Sequence, residues 1–176
     1  TINVSTHTQI VRGWDKKIDR DVIIKCLLES DHANESLQNM SETLIREGRI
    51  LAGCNHSNIG MIYTTISKPS GIIMEWIQGE SLRQVIKRGA MHPFDVVKIG
   101  LGLTDALVHT HEREIFHRDI KPENIIVDVF SGKPKLIDFD IARAHSQETI
   151  SRQKDGSSGY LGTKPYSSPE QFIDPE

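Results

Sequence analysis

The chain has 176 residues, 26% charged and 37% hydrophobic, with a net charge of −3. This is the balance of a globular domain large enough to bury a core. A slightly acidic chain without a basic patch argues against nucleic acid or an anionic membrane surface as a partner. The longest apolar region, around residues 96–108, is broken by Lys98 and Asp105, so no direct membrane contact is expected from this segment. Cys26 and Cys54 stand alone, without a CxxC pair. They read as reduced packing residues of a cytoplasmic protein. The chain opens on Thr1 and closes on a proline-flanked stretch at Glu176, and is expected to be part of something longer.

Residues 9–12 and 21–28 read as strands, with a charged hairpin over 15–20 between them. The second alternates, with Val22, Ile24, Cys26 and Leu28 on one face and Ile23, Lys25 and Leu27 on the other, the latter expected to be buried. Over 36–52, Leu37, Met40, Leu44, Glu47 and Leu51 fall in one narrow stripe at helical spacing. Glu47 is an acid on that apolar face, which is costly unless a cation meets it. Residues 60–66 and 71–77 read as a further strand pair joined by Ser67-Lys68-Pro69-Ser70.

After Gly79 the pattern turns helical. A short helix is expected over 81–88. Pro93 suits the first turn of a longer helix over 94–111, apolar on most sides and therefore expected to be buried. Residues 115–116 and 125–127 bracket a polar loop, 134–137 is a short strand, and 144–162 is a long polar loop. The fold class is α+β: strands with one helix over 1–74, a connector over 75–80, and helices with a loop-rich platform over 81–176.

The bracketed loop carries the chemistry: His117-Arg118-Asp119-Ile120-Lys121-Pro122-Glu123-Asn124. Phosphoryl transfer from ATP asks for positioning and charge neutralisation. One carboxylate must orient the attacking hydroxyl and accept its proton. A cation must offset charge on the transferred group, and an amide oxygen can help hold Mg²⁺. Asp119, Lys121 and Asn124 supply these three groups. The segment resembles the catalytic loop of protein kinases, H-R-D-x-x-x-x-N, and its Lys-Pro-Glu-Asn ending resembles the serine/threonine branch.

The rest of the resemblance follows in the family's order, from about Val11 to Glu176. It implies a bilobal protein-kinase-like fold, with a small antiparallel-sheet lobe plus one helix and an incomplete helical lobe. Asp138-Phe139-Asp140 resembles the metal-binding D-F-G, with Asp140 in place of glycine. Asp138 would hold Mg²⁺, and Phe139 would pack under the helix near Leu51, alongside His117. Lys25 in Val22-Ile23-Ile24-Lys25 and Glu47 resemble the ion pair that holds the α- and β-phosphates. Ile23 stands where the family has alanine over the adenine. By resemblance Met74 is the gatekeeper, the backbones of Glu75 and Ile77 meet the adenine edge, and Ser81 lies near the ribose. Val11 would roof the base and Ile126 floor it. Counting back from Val11, the phosphate-covering glycines would fall at Val4, Thr6 and Gln9, none of which is glycine.

Gly162 to Glu170 resembles the peptide-docking segment ending in A-P-E, with Ser168 for alanine and Thr163 placed to contact Asp119 and Lys121. The stretch before it resembles an activation loop. Thr149, Ser151, Ser157 and Ser158 are its phosphosite candidates, and Arg118 is the residue that would clamp a loop phosphate. The implied function is a serine/threonine protein kinase using ATP and Mg²⁺ on protein substrates. The remaining kinase helices and other domains are expected in the parent chain. Without those helices, apolar helix faces are expected to stay exposed. The missing glycines, Ile23 and Asp140 leave a pseudokinase, a nucleotide-binding or scaffolding module, as the alternative. A small-molecule phosphotransferase is a third reading, against which the docking segment argues. His109, His111 and His117 lack a fourth-ligand pattern for zinc.

Overall fold

A charged turn and two alternating strands begin the first sheet. The computed structural model describes residues 3–4, 8–28, 35–139 and 165–166, and the chain divides into two units, Thr1–Gln78 and Gly79–Glu176. In the first, β1 (Asn3–Val4), β2 (Thr8–Asp15), β3 (Arg20–Leu27), β4 (Ile62–Ser67) and β5 (Ser70–Glu75) form an antiparallel sheet in the order β1-β2-β3-β5-β4. At the β2–β3 turn the Asp15 carboxylate accepts from the Lys17 N–H at 3.0 Å, the local side-chain bond that makes aspartate a turn former. Asp19 then takes a left-handed φ of 55°.

Helix α1 (Glu35–Ala52) packs against β4 and β5. Its stripe behaves as the periodicity predicts: Leu44, Glu47 and Leu51 are buried and Met40 is half-buried. The approach is close because residue 48 has no side chain. A Cβ there would sit 2.5 Å from Ile72 Cγ2 and 2.8 Å from Thr65 Cγ2. The Ser41 hydroxyl donates to that of Ser70 at 2.6 Å, which ties α1 to the β4–β5 turn. On β3 the burial differs from expectation. Val22, Cys26 and Leu27 are buried, but Ile23 and Lys25 are only half-buried, so the lysine face is the more open one.

In the second unit β6 (Gly79–Ser81), β7 (Ile125–Asp128) and β8 (Pro134–Leu136) form a three-stranded antiparallel sheet. Strand β6 is too short to show a period and was not expected from sequence. Helix α2 (Leu82–Lys87) starts with a capping box between Ser81 and Gln84. Helix α3 (Pro93–His111) has proline in its first turn and a cap from His92, whose Nδ1 accepts from the Phe94 N–H at 3.2 Å.

The expectation that α3 is buried is corrected. Its buried residues are Ile99, Ala106 and Thr110, and it packs on β8. Phe94, Val97 and Leu101 are exposed by 70%, 59% and 67%. Among the described residues no helix is long and apolar enough to cross a membrane.

Candidate active site

In the first unit the register of β3 decides which side chains accompany Lys25. Lys25 lies opposite Ile10 on β2 and Ile72 on β5, and Ile23 lies opposite Arg12 and Met74. Directly opposed residues share a face, and successive residues alternate. Ile10, Arg12, Ile23, Lys25, Ile72 and Met74 therefore share one face. Val11 lies opposite Ile24, on the other. Ile10, rather than Val11, thus shares the face of Ile23 and Lys25. In a strand a shift of one residue exchanges the faces.

Glu47 is 8% exposed on the face of α1 that meets the sheet. A carboxylate in that place is retained only with partners, which makes it the helix residue with the strongest demand for a cation. Gly71 serves the same region, since a Cβ there would stand 2.5 Å from the carbonyl of Lys25. Past β5, the Glu75 N–H donates to Met61 O at 2.8 Å, and the Met61 N–H donates to Glu75 Oε2 at 3.2 Å. Ile77 is buried.

In the second unit the loop after α3 is organised by His117, which is 2% exposed. Its Nδ1 accepts from the Asp119 N–H at 3.3 Å, and Nε2 lies 3.0 Å from Ile137 O. A carbonyl can only accept, so Nε2 carries the proton and Nδ1 does not; the ring is neutral. Burial pushes its pKa below the ordinary 6.5, against the opposing pull of the Ile137 carbonyl and of Asp138 and Asp119. Phe139 packs on this ring with centroids 4.4 Å apart. This is the contact that the resemblance implied.

The lowered pKa has a consequence for stability. Below pH 6.5 the unfolded chain takes up a proton that the native ring refuses. Stability contributed at neutral pH is then lost as pH falls from 6.5 to the native value, and the loss levels off below it. Urea titrations of wild type and His117→Phe should differ in acid slope by up to about 1.4 kcal/mol per pH unit, the wild type being the more sensitive. Equal slopes would mean that the ring does not titrate as described.

Asp119 and Lys121 form an ion pair at 2.5 Å, each side chain 23% exposed. Asn124 Nδ2 donates to the Asp119 carbonyl at 2.9 Å and to Asp119 Oδ2 at 3.1 Å. Both partners are acceptors, so the amide orientation is determined and Oδ1 points away from Asp119. The single 3-10 turn Pro122–Asn124 shapes this arrangement, and Arg83 braces it at 3.4 Å from Glu123. The Ile137 N–H donates to Asn124 O at 2.9 Å, which sets the residue before Asp138 against Asn124. Asp138 is exposed, and it and Arg118 both adopt φ of 63°. Such conformations in non-glycine residues gather at functional sites. The motifs do not announce them, because neither residue is a glycine.

The structure thus brings Asp119, Lys121 and Asn124 together and ties them to the segment bearing Asp138. Ile126 lies on β7, opposite Ser81 and Lys135. The Ser81 hydroxyl serves as the cap of α2, accepting from the Gln84 N–H at 3.3 Å. Asp140, Thr149, Ser151, Ser157, Ser158 and Thr163 lie outside the described residues, as do Ser168 and Glu170. Pro165 and Tyr166 form a turn.

Residues 6–174 match the family model of the protein kinase domain. The chain belongs to the protein kinase family. It is 36% identical over 157 residues to the serine/threonine-protein kinase PrkC of Bacillus subtilis, covering 88% of this chain and 23% of that protein. It is 36% identical over 169 residues to the probable serine/threonine-protein kinase PknB of Bifidobacterium longum, covering 89% and 24%. To the serine/threonine-protein kinase PknL of Mycobacterium tuberculosis it is 33% identical over 169 residues, covering 94% and 40%. This kinase chain spans less than half the length of each of these relatives.

Proposed function

We propose that this chain carries the phosphoryl-transfer machinery of a serine/threonine protein kinase, and that the full protein moves the γ-phosphoryl of ATP onto serine or threonine hydroxyls of protein substrates. The observation that carries this reading is the Asp119–Lys121–Asn124 cluster, with Asn124 Nδ2 spent on Asp119 and Oδ1 turned away from it. Asp119 orients the substrate hydroxyl and accepts its proton as the new oxygen–phosphorus bond forms and the bond to the ADP oxygen breaks. Lys121 offsets the charge on the transferred group. Lys25, balanced by Glu47, holds the α- and β-phosphates. Ile10 and Ile23 with Met74, the backbones of Glu75 and Ile77, Ser81 and Ile126 serve the nucleoside end.

Asn124 Oδ1 and the exposed Asp138 carboxylate fit a hard cation. Among the described residues no three His, Cys, Asp or Glu side chains cluster as metal ligands. One carboxylate and one amide oxygen suit Mg²⁺, which keeps water and substrate phosphate oxygens in its shell. Magnesium, when bound, neutralises charge on the phosphates.

Arg118 is the proposed clamp for a phosphate on Thr149, Ser151, Ser157 or Ser158, and Thr163 the proposed substrate-docking residue. Residues 1–74, 75–80 and 81–176 are proposed as sheet lobe, connector and first part of the helical lobe. Further helices and other domains belong to the longer protein. Two buried free cysteines fit a reducing, cytoplasmic compartment.

The test is transfer of label from γ-labelled ATP by the full-length protein to serine or threonine of a protein acceptor, abolished by chelation of divalent cations. Nucleotide binding without transfer under any divalent cation would replace this reading with the pseudokinase one, which the bulk of Ile23 directly opposite Met74 favours.

A further inference from the structure

Arg12 stands on the Lys25 face of the sheet, two residues beyond Ile10. Its guanidinium makes a two-pronged contact with Asp21, Nε to Oδ1 at 2.8 Å and Nη2 to Oδ2 at 2.7 Å. The same guanidinium lies over the Trp76 ring, 4.5 Å from its centroid. A planar guanidinium can satisfy a carboxylate edge-on and a ring face-on at once, which an ammonium cannot. Trp76 sits between Glu75 and Ile77, the residues whose backbones are proposed to meet the base. Glu75 is itself held by the reciprocal bonds with Met61. The segment leaving β5 is therefore fixed from two sides, by Met61 at residue 75 and by the Asp21–Arg12 pair at residue 76.

We propose that Arg12 is a positioning residue for nucleotide recognition: braced by Asp21, it holds Trp76 and so sets the backbone of residues 75–77 against the base. The inference rests on the kinase reading, because it takes that backbone as the adenine contact. It goes further in assigning the tuning of base affinity to an exposed arginine on β2, which is separated from β5 by β3. The phosphate-holding role of Lys25 should be untouched, because Lys25 lies opposite Ile10 and not Arg12.

Competition against a fluorescent ribose-labelled ATP on the full-length protein separates the two ends of the ligand. Arg12→Ala should weaken ATP and adenosine by about three-fold while inorganic tripolyphosphate competes as in wild type. Arg12→Lys, which keeps a cation for the ring, should recover part of the loss. Arg12→Ala combined with Trp76→Ala should be no weaker than Trp76→Ala alone, since the arginine acts through the ring. Unchanged adenosine affinity, an equal loss for tripolyphosphate, or additive losses in the double variant would each overturn the proposal. If wild type binds no labelled ATP at all, the kinase reading fails first and takes this inference with it. A wild type that binds, beside variants that bind identically, sinks the inference alone.

Discussion

Replacing Asp119 by asparagine should slow phosphoryl transfer by roughly 10²–10⁴-fold while nucleotide affinity changes by less than about three-fold. The change keeps shape and removes one property. An amide can still accept from Asn124 Nδ2, which now donates to Asp119 Oδ2 at 3.1 Å, and the backbone bond from Asn124 Nδ2 to Asp119 O is unaffected. It can neither take a proton from the attacking hydroxyl nor balance the Lys121 ammonium, which lies 2.5 Å from the carboxylate. Losing that partner also frees Lys121 to move, which adds to the defect. Steady-state transfer and equilibrium binding of labelled ATP measure the two halves separately. A variant that transfers within about ten-fold of wild type would remove Asp119 from the reaction and leave the loop a structural one.

The helix stripe and the cluster of Asp119, Lys121 and Asn124 are legible in the sequence because each rests on local spacing, whereas the contact of Phe139 with His117 is legible only through the family resemblance. A helix of 18 residues shows its period several times over, so Glu47 stands out on an apolar face from the spacing alone. The Asp119–Lys121–Asn124 cluster lies within one short loop, and its members meet by a single 3-10 turn. What is illegible depends on register or on distant partners. Composition does not tell whether Val11 or Ile10 shares the face of Lys25, and only the pairing of Ile10 with Lys25 across the hairpin answers that. The exposure of α3 depends on what covers it, and an apolar sequence records the need for a cover without supplying it. The left-handed backbone at Arg118 has no residue signature, and that at Asp138 only a weak one, since aspartate is enriched at positive φ but adopts it in a minority of cases. Gly48 is the instructive miss. It lies beside Glu47 in a helix, where glycine is unfavourable by about 1 kcal/mol relative to alanine. A residue that weak in its local role marks a tight contact elsewhere.

That contact predicts the second large effect. Gly48→Val should destabilise the first unit by about 1–3 kcal/mol, and Gly48→Ala should fail to deliver the gain that helix propensity alone would give. A Cβ at position 48 would approach Ile72 Cγ2 to 2.5 Å and Thr65 Cγ2 to 2.8 Å, both closer than carbon atoms can stand. Relief by side-chain rotation is blocked at Ile72, which is 1% exposed and branched at Cβ, so its χ1 is stiff. The helix must therefore lift from β4 and β5, and Glu47, the adjacent residue, lifts with it. Denaturant unfolding of the full-length protein should show the stability loss as a lower midpoint. Transfer activity should fall in valine more than in alanine, at temperatures where both remain folded. If valine left stability unaltered, the close packing of α1 on β5 would be refuted. If stability fell while transfer held, Glu47 would have no part in holding the nucleotide phosphates.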